Sequence, residues 1–400
     1  MNAIPVDHRE FDPFDPVIAA DPYPWYASLR HDAPVHHVAA LDLWVVSRYG
    51  DVRSVLGDAA TFSNEAMAAA VRRPAERSGE EADAISIIGL DGDDHSRLRR
   101  IVNRGFTPRR IAELSDYITA TAQQLVDAMR RRGGGDLVTD LADPVPTRVI
   151  GRMLGVDDAE QHEFGRWSES MVRAVFDPVP SDEDTDTKAA GDEMNAWLDE
   201  AIEQRASVDG DDLVSILMRA EDDEVLSTAE MRTFVFTLLV AGSFTTQHLI
   251  SNTMRALFEH PRALAALIDD PSLVDGCVEE GLRYDAPAQW MLRTATVDVE
   301  MADVVIPARS TVLALIGSAN RDGSVFADPD RFQPDRSSEN HLAFGHGAHY
   351  CLGAALGRLE ARITLRELVA AGDGIRQAGP VERLDSFAFR GLHHLPVELG

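Results

Sequence analysis

Residues 341–360 read HLAFGHGAHYCLGAALGRLE and carry the strongest chemical signal in the chain. Gly345, Gly347 and Gly353 surround Cys351, and a helical pattern rich in small residues follows. Glycine permits unusual backbone angles and a close approach of the backbone to a ligand. A thiolate at the start of a helix is favoured by free N–H groups, which lower its pKa. The segment predicts either a thiolate presented to a metal or, as for most lone cysteines, a buried free thiol beside an ordinary turn.

The spacing F-G-x-G-x-H-x-C-x-G in this segment resembles the haem-binding loop of cytochromes P450. The matching residues are Phe344, Gly345, Gly347, His349, Cys351 and Gly353. The resemblance implies haem b (Fe-protoporphyrin IX) as the cofactor, with Cys351 as the axial thiolate ligand of the iron. It also implies that Phe344 packs near the sulfur and that His349 reaches a haem propionate.

A second match lies in EEGLRYDAP, residues 279–287. Glu280 and Arg283 share a helix face and can pair, although most such pairs are solvated and contribute little. They resemble the E-x-x-R pair of the P450 family, with Arg331 of the sequence PDRF as the third member. The implied role is structural, because the three residues would hold the segment that leads to Cys351 against the helices.

A third match concerns basic residues that would contact the haem propionates. His95 and Arg99 lie four apart on one predicted helix face and resemble the H-x-x-x-R pattern of the family. Arg293, in the sequence QWMLRTAT, resembles a further propionate partner. The chemistry is consistent, since two carboxylates buried with a haem need cations.

Residues 239–248 read LVAGSFTTQH and interrupt a long apolar helical pattern. Thr hydroxyls compete for backbone carbonyls, so glycine and threonine together loosen a helix. The stretch resembles the family's A-G-x-[D/E]-T-[T/S] motif at Ala241, Gly242, Thr245 and Thr246. The resemblance implies that Gly242 leaves space for O₂ and that Thr245 holds water near it.

Phe244 occupies the position of the acid in that motif, and a phenyl ring can neither give nor take a proton. Several interpretations are open. Protons would arrive by another route, such as water, the substrate, Ser243 or His248, or the enzyme would use peroxide. The product could also be a C–C or C–N coupled one without inserted oxygen. Alternatively, Phe244 only shapes the pocket and proton delivery is rerouted.

Helical periodicity dominates the chain, and each pattern ends near Gly or Pro. The clearest helical patterns cover 108–131, 188–206, 228–258 and 353–370, and strand-like pieces cover 43–47, 297–306 and 311–316. The acidic stretch 177–187 is predicted to be an exposed loop. We therefore predict a mainly α protein with small β regions, which the resemblance identifies as a cytochrome P450 fold, a helical bundle around a buried haem. Residues 1–400 are expected to form a single domain.

Composition excludes several classes of function. The formal net charge of -29 disfavours binding to nucleic acid. No run of about 18 or more uncharged apolar residues is present, so no membrane anchor is expected. The two cysteines cannot form a disulfide framework, which indicates a reducing cytoplasm. One basic stretch, HSRLRRIVNRGFTPRR at 95–110, predicts a docking site for an acidic partner.

The resemblance implies a P450 monooxygenase or oxidase that uses O₂ and electrons from a ferredoxin and a ferredoxin reductase, as a monomer in the cytoplasm. Positions expected to line the substrate pocket are Ile87, Ile88, Leu238, Gln289, Trp290, Met291 and Phe389. They indicate a hydrophobic small-molecule substrate, with aromatic compounds among the candidates. Together with the resemblance, we expect a role in secondary-metabolite biosynthesis. The retained Gly242 and Thr245 disfavour a non-catalytic haem–thiolate sensor. Four motifs in the family's order disfavour a haem-free helical protein.

Overall fold

The computed structural model describes residues 6–77, 85–157, 159–176, 184–205, 210–219, 225–336, 340–370 and 374–400. Within these ranges the helices are α1 (Pro16–Ala20), α2 (Tyr23–Asp32), α3 (Tyr49–Gly57), α4 (Glu65–Arg77), α5 (Gly92–Asn103), α6 (Pro108–Glu113), α7 (Ser115–Arg131), α8 (Pro144–Leu154), α9 (Gln161–Phe176), α10 (Asp184–Arg205), α11 (Leu213–Met218), α12 (Thr228–Glu259), α13 (Pro261–Asp269), α14 (Val274–Tyr284), α15 (Ile316–Ala319) and α16 (Ala354–Ala370). The strands are β1 (Val35–Val38), β2 (Leu43–Val46), β3 (Phe62–Ser63), β4 (Gly134–Asp136), β5 (Met291–Ala295), β6 (Val299–Met301), β7 (Val304–Ile306), β8 (Thr311–Ala314), β9 (Arg376–Gln377), β10 (Glu382–Arg383), β11 (Leu392–His394) and β12 (Pro396–Glu398). The prediction of a mainly α protein with small β regions is confirmed.

Helix α12 is the central element of the fold. It starts at a capping box in which the Ser227 hydroxyl accepts from the Glu230 N–H and the Glu230 carboxylate accepts from the Ser227 N–H. Its sequence is apolar on almost every side, which is typical of a helix surrounded by others. Helices α8, α14 and α16 pack against it. Among the described helices it alone is long and apolar enough to cross a membrane, but 61% of that window is buried inside the protein, as in a core helix.

A five-stranded sheet in the order β1-β2-β8-β5-β3 lies beside this helical core. Strands β2 and β8 are parallel, whereas the other neighbours are antiparallel. The short pairing of β3 with β5 places Ser63 opposite Thr294. The residues that flank this pair, Asn64 and Arg293, are thereby brought to the same edge of the sheet. Smaller sheets are formed by β4-β12-β9, β10-β11 and β6-β7.

The structure corrects three predicted boundaries. The pattern at 108–131 is two helices, because the Leu114 N–H bonds to the Ile111 carbonyl (3.1 Å) and tightens the chain between α6 and α7. The pattern at 297–306 is the hairpin β6-β7, whose turn residues both have positive φ (48° and 62°), as a two-residue turn of the primed type requires. Residues 177–183 of the predicted loop lie outside the described residues. Its last four residues, 184–187, form the start of α10.

Candidate functional site

The loop before Cys351 is shaped by its glycines. Gly345 and Gly347 both have φ of +75°, a region that residues with a side chain rarely adopt. A Cβ at Gly347 would lie 2.9 Å from the Cα of Gly57, so the loop also approaches α3 too closely for any other residue. The Cys351 N–H then donates to the Phe344 carbonyl over 2.9 Å. This bond closes the loop and fixes the thiol three residues before α16 begins.

Cys351 keeps some accessible surface, yet protein atoms surround it on most sides. This burial raises the pKa of the thiol, while the Gly353 N–H and the cations Arg99 and Arg358 lower it. The sequence-based expectation of a lowered pKa is therefore wrong for the protein alone, because burial outweighs the favourable groups. The described residues contain no group of three or more His, Cys, Asp or Glu side chains arranged to hold a metal ion. A metal at Cys351 must therefore bring most of its ligands with it, as a porphyrin iron does.

The ring of Phe344 lies beneath a guanidinium on the helix that follows the thiol. Arg358 sits 4.4 Å from the ring centroid and bonds to Glu279 through Nε, at 2.7 Å. A Cβ at Gly353 would meet no heavy atom within 4 Å, so open space adjoins the backbone there. A planar group can therefore approach the chain beside the thiol.

The two arginines expected at the propionates are buried or half-buried, and the charge of Asp91 acts on Arg293 from beyond salt-bridge distance. Arg99 donates from Nη2 to the Tyr350 carbonyl at 2.7 Å, and Arg293, 4% exposed, donates from Nη1 to the Leu292 carbonyl at 2.8 Å. Neither guanidinium pairs with a carboxylate in the part of the chain that the structure describes. Burial lowers the pKa of Arg293 to about 10. Buried cations without partners are costly, so the residues present fit an anionic group such as the haem propionates.

Two histidines from the same motifs lie in contact. The ring centroids of His95 and His349 are 4.0 Å apart. Burial, together with His95 and Arg293, lowers the pKa of His349 to about 4, and burial and Arg99 lower that of His95. The structure therefore brings all four residues predicted for the propionates to one place, with both imidazoles held neutral.

The predicted pair on α14 is a doubly hydrogen-bonded buried ion pair. Arg283 donates from Nε and Nη2 to the two carboxylate oxygens of Glu280, each at 2.7 Å, and both side chains are fully buried. The third member predicted at Arg331 is wrong. Its side chain is exposed, and only its carbonyl accepts from Arg283, at 3.1 Å. The chain turns back after Gln333, and Arg336 supplies the second guanidinium, with Nε 3.2 Å from Glu280.

The centre of α12 presents Ala241 and Thr245 to open space, although most of this helix is buried. The Thr245 hydroxyl donates to the Ala241 carbonyl at 2.7 Å. Gly242 is only partly exposed, and a Cβ there would lie 2.9 Å from Cδ1 of Ile150 on α8. The missing side chain therefore lets α12 and α8 approach each other, a packing role that the motif did not suggest.

Phe244 lies in an aromatic cluster that leaves it 7% exposed. Its ring stands edge-on to His248, with centroids 4.3 Å apart, and 5.4 Å from Phe389. Burial lowers the pKa of His248 to about 3, and neither ring nitrogen has a hydrogen-bond partner among the described residues. Ser243 donates to the Leu239 carbonyl at 2.5 Å. Neither of the two polar groups considered from the sequence is thus arranged to supply a proton.

Glu360 is a buried acid that the motifs did not reveal. It lies on α16, is 1% exposed, and burial raises its pKa to about 8, although a hydrogen bond with the Thr246 side chain lowers it. A Cβ at Gly357 would lie 3.3 Å from Oγ1 of Thr246, so α16 and α12 are in close contact here. The signal was present in the sequence, because Glu360 follows Leu356 by four residues on the apolar face of its helix.

The residues predicted to line the pocket divide into two groups. Ile87 and Ile88 are half-buried in a short turn, Leu238 is 8% exposed on α12, and Phe389 contacts Phe244. These four side chains lie on or beside α12, where the substrate pocket is expected.

The second group packs elsewhere. The Trp290 indole stacks on Phe387 at 4.8 Å and donates to its carbonyl, and Gln289 donates to the Ala286 carbonyl at 2.7 Å. Met291 is half-buried against the core of the five-stranded sheet. Their side chains are thus occupied by packing, which the sequence did not anticipate.

The basic stretch at 95–110 is partly neutralised by its neighbours. Arg97 pairs with Glu230, and Arg109 pairs with Glu113 at 3.0 Å. The cations after the thiol are paired as well, Arg358 with Glu279 and Arg362 with Asp275. The surface is therefore less positive than the sequence suggests.

A thiol on a glycine-shaped loop, unpaired cations beside it and a threonine-bearing helix define the site of a haem–thiolate oxidoreductase. The family model described as Cytochrome P450 matches residues 36–371, and the chain belongs to the cytochrome P450 family. It is 38% identical to the cytochrome P450 monooxygenase PikC of Streptomyces venezuelae, over 95% of this chain and 91% of that protein. It is 37% identical to the 6-deoxyerythronolide B hydroxylase of Saccharopolyspora erythraea, over 95% and 96%. The solved structure of CYP109Q5 from Chondromyces apiculatus superposes with a TM-score of 0.90, at 39% identity, over 98% and 99% of the two chains.

The family establishes the fold and the class of activity. The predicted cytochrome P450 fold is confirmed, and the protein is an oxidoreductase of the P450 monooxygenase family, whose members use a haem–thiolate cofactor.

Proposed function

We propose that this enzyme binds haem b through Cys351 and oxidises a hydrophobic small molecule with O₂ and electrons from a ferredoxin and its reductase, in secondary-metabolite biosynthesis. The observation that carries the proposal is the convergence of the Cys351 loop with the unpaired cations Arg99 and Arg293. The name of one relative supports the substrate class, and the name of another supports the reaction class. One is named a hydroxylase of 6-deoxyerythronolide B, and the other is named a monooxygenase.

The chain's own residues have distinct tasks in this proposal. Cys351 holds the iron, and Arg99, Arg293, His95 and His349 hold the propionates. Phe344 covers the thiol side. The bound haem supplies the activation of dioxygen. Ile87, Ile88, Leu238 and Phe389 form the apolar wall against which a substrate is held while water is excluded.

Proton delivery is the task for which the usual acid is missing. We propose that Glu360 replaces it from the neighbouring helix. With a pKa of about 8, its carboxyl keeps a proton at neutral pH, and its hydrogen bond to Thr246 brings that proton to the residue that follows Thr245 in the chain. Thr245 orients water in the open space that it shares with Ala241. Phe244 then shapes the pocket and takes no part in the relay.

The experiment that tests the reaction outcome uses ¹⁸O₂. Small molecules are screened for a change in the spin state of the haem, and a molecule that gives this change is turned over with a ferredoxin and its reductase. Incorporation of one ¹⁸O atom into the product supports monooxygenation. A coupled product without ¹⁸O would instead support oxidative C–C or C–N coupling, and turnover that requires added peroxide would support a peroxide-driven oxidation. The apolar cluster around Phe244 favours these alternatives.

The proposal also covers the domain organisation, the oligomeric state, the location and the partners of the enzyme. We propose that residues 1–400 act as one domain, as a monomer in the cytoplasm. The partners are the ferredoxin and its reductase, docked near Arg100 and Arg109, and neither nucleic acid nor a membrane takes part. Gel filtration of the haem-loaded protein tests the oligomeric state.

A further inference from the structure

Asn64 is a buried polar residue that none of the motifs includes. It is 1% exposed and follows β3, at the edge of the sheet that also carries Arg293 on β5. Its side-chain nitrogen, Nδ2, lies 2.8 Å from an oxygen of Asp91 and 2.8 Å from Nε2 of His349. One amide nitrogen thus bridges the residue that precedes α5 and the imidazole on the Cys351 loop.

The chemistry of Asp91 determines which way this amide faces. An ionised carboxylate has no hydrogen to donate, so the atom of Asn64 that faces it must be the NH₂ group. Asp91 is itself held in place, because its two oxygens accept from the Asn64 backbone N–H at 3.1 and 2.8 Å. The opposite orientation of the amide would place a carbonyl oxygen against a carboxylate. The amide orientation therefore follows from contacts other than those of His349.

The remaining hydrogen of that NH₂ group points to His349. A nitrogen that accepts this hydrogen bond must carry a lone pair, so Nε2 of His349 is unprotonated. A neutral imidazole then carries its proton on Nδ1. We infer that Asn64, oriented by Asp91, fixes the tautomer of His349 so that Nδ1–H is the donor available to a haem propionate.

This assigns Asn64 as a positioning residue that acts through His349, and it rests on the proposed haem site. Hydrogen-bonded partners of this kind commonly set which ring nitrogen of a histidine carries the proton. The same bridge links the Cys351 loop to β3 and to the start of α5. A propionate that accepts from a fixed N–H gains a charge-assisted hydrogen bond without reorganisation of the ring.

The tautomer can be read directly by ¹⁵N NMR of the histidine side chains in the ferrous–CO form, which is diamagnetic. The chain has 13 histidines, so the His349 signals are assigned by their loss in His349→Gln. In the wild type we expect the proton on Nδ1. In Asn64→Asp a carboxylate, which only accepts hydrogen bonds, replaces the amide that donates to His349. The proton of His349 must then move to Nε2 to donate to this carboxylate. In Asn64→Leu only the propionate still favours a proton on Nδ1, so we expect the preference for Nδ1 to weaken.

A matched control keeps these outcomes separate from damage to the local fold. Ser63→Ala alters the same turn, where the Ser63 hydroxyl accepts from the Glu65 N–H at 3.2 Å, without touching His349. We expect this variant to keep the wild-type tautomer and haem-loss rate, whereas Asn64→Leu transfers its haem to apomyoglobin about tenfold faster.

The possible failures are also distinct. A wild-type protein that lacks the red-shifted ferrous–CO band would contradict the proposed haem site itself. With a normal band, a proton on Nε2 of His349 in the wild type, or a tautomer that is unchanged in both Asn64 variants, would overturn the role of Asn64 alone.

Discussion

The loop around Cys351 and the centre of α12 around Phe244 are stabilised by different interactions. The loop depends on hydrogen bonds, and the segment that leads to it is held by the fully buried pair of Glu280 and Arg283, which bonds to the carbonyls of Pro329 and Arg331. The centre of α12 depends on packing, with Phe244 against His248 and Phe389. In this protein, charged and hydrogen-bonded groups hold the part of the site around Cys351, whereas apolar contacts shape the part around Phe244. Glu360, the buried acid that contacts Thr246, comes from another helix.

The largest effect is expected when the buried ion pair of Glu280 and Arg283 is removed. Arg283→Met removes the guanidinium that pairs most closely with the fully buried Glu280 carboxylate, at 2.7 Å against 3.2 Å for Arg336, which should lower the free energy of unfolding by about 3–5 kcal/mol. Arg331→Met is the matched control, because that side chain is exposed, and it should change stability by less than about 0.5 kcal/mol. Urea unfolding of the three proteins measures both values. Equal losses in the two variants would restore Arg331 as a member of the cluster.

A smaller effect, counted per pH unit, is expected at Glu360, whose pKa is raised from 4.5 to about 8 by burial. The folded protein then binds a proton that the unfolded chain releases, so this contribution to stability is complete below pH 4.5 and is lost as the pH rises towards 8. Relative to Glu360→Gln, the wild type should lose up to about 1.4 kcal/mol per pH unit within that window. Denaturant unfolding at pH values from about 5 to about 9 covers this window and measures the effect. Parallel curves for the two proteins would show that Glu360 is ionised at neutral pH.

Glu367→Gln serves as the control for that experiment. Glu367 lies on the same helix but is only part-buried, where it accepts from Gln123 at 3.0 Å. The same loss of a carboxylate there should leave the pH dependence of stability as in the wild type.

Phe244→Glu tests the apolar side, with an effect on coupling of electron use to product. The new carboxylate would replace a ring buried between His248 and Phe389 and would pair with His248, which lies four residues along the helix. We expect coupling about two- to threefold below that of the wild type, because a charge in this cluster disturbs packing without joining the relay from Glu360. Phe244→Leu, which keeps the site apolar, is the control. Coupling in the Glu variant above that of both other proteins would show that the missing acid limits turnover.

Much of the charged side could be predicted from the sequence, because its residues lie within short motifs. Cys351 and its glycines fall within ten positions, and α12 was predicted at 228–258 and observed at Thr228–Glu259. What failed depended on the path of the chain in space. Arg331 and Arg336 are both near the motif, and only the turn after Gln333 decides which one reaches Glu280. Glu360 reaches Thr246 only because α16 packs on α12, a contact that no local pattern contains.

The smallest effect is expected on the surface proposed for docking. Arg109 is 89% exposed at its side chain and, among the described residues, pairs with Glu113 on the same helix, so charge reversal leaves the fold intact. Arg109→Glu should slow electron transfer from an acidic ferredoxin about two- to threefold at low salt, and the difference should vanish at high salt. Lys188→Glu makes the same change of charge on α10 and should leave the rate unchanged. Stopped-flow reduction at two ionic strengths measures the rates, and equal slowing in both variants would exclude a specific role for Arg109.

The central claim is that the thiolate of Cys351 binds the haem iron, and the absorption spectrum of the ferrous–CO form tests it most directly. Cys277→Ala removes the other cysteine, which is fully buried in the helical core. We expect the strongly red-shifted Soret band of thiolate ligation in the wild type and in Cys277→Ala, and its loss in Cys351→Ser. Retention of that band in Cys351→Ser, or a wild-type protein that remains colourless when supplied with haem, would contradict it.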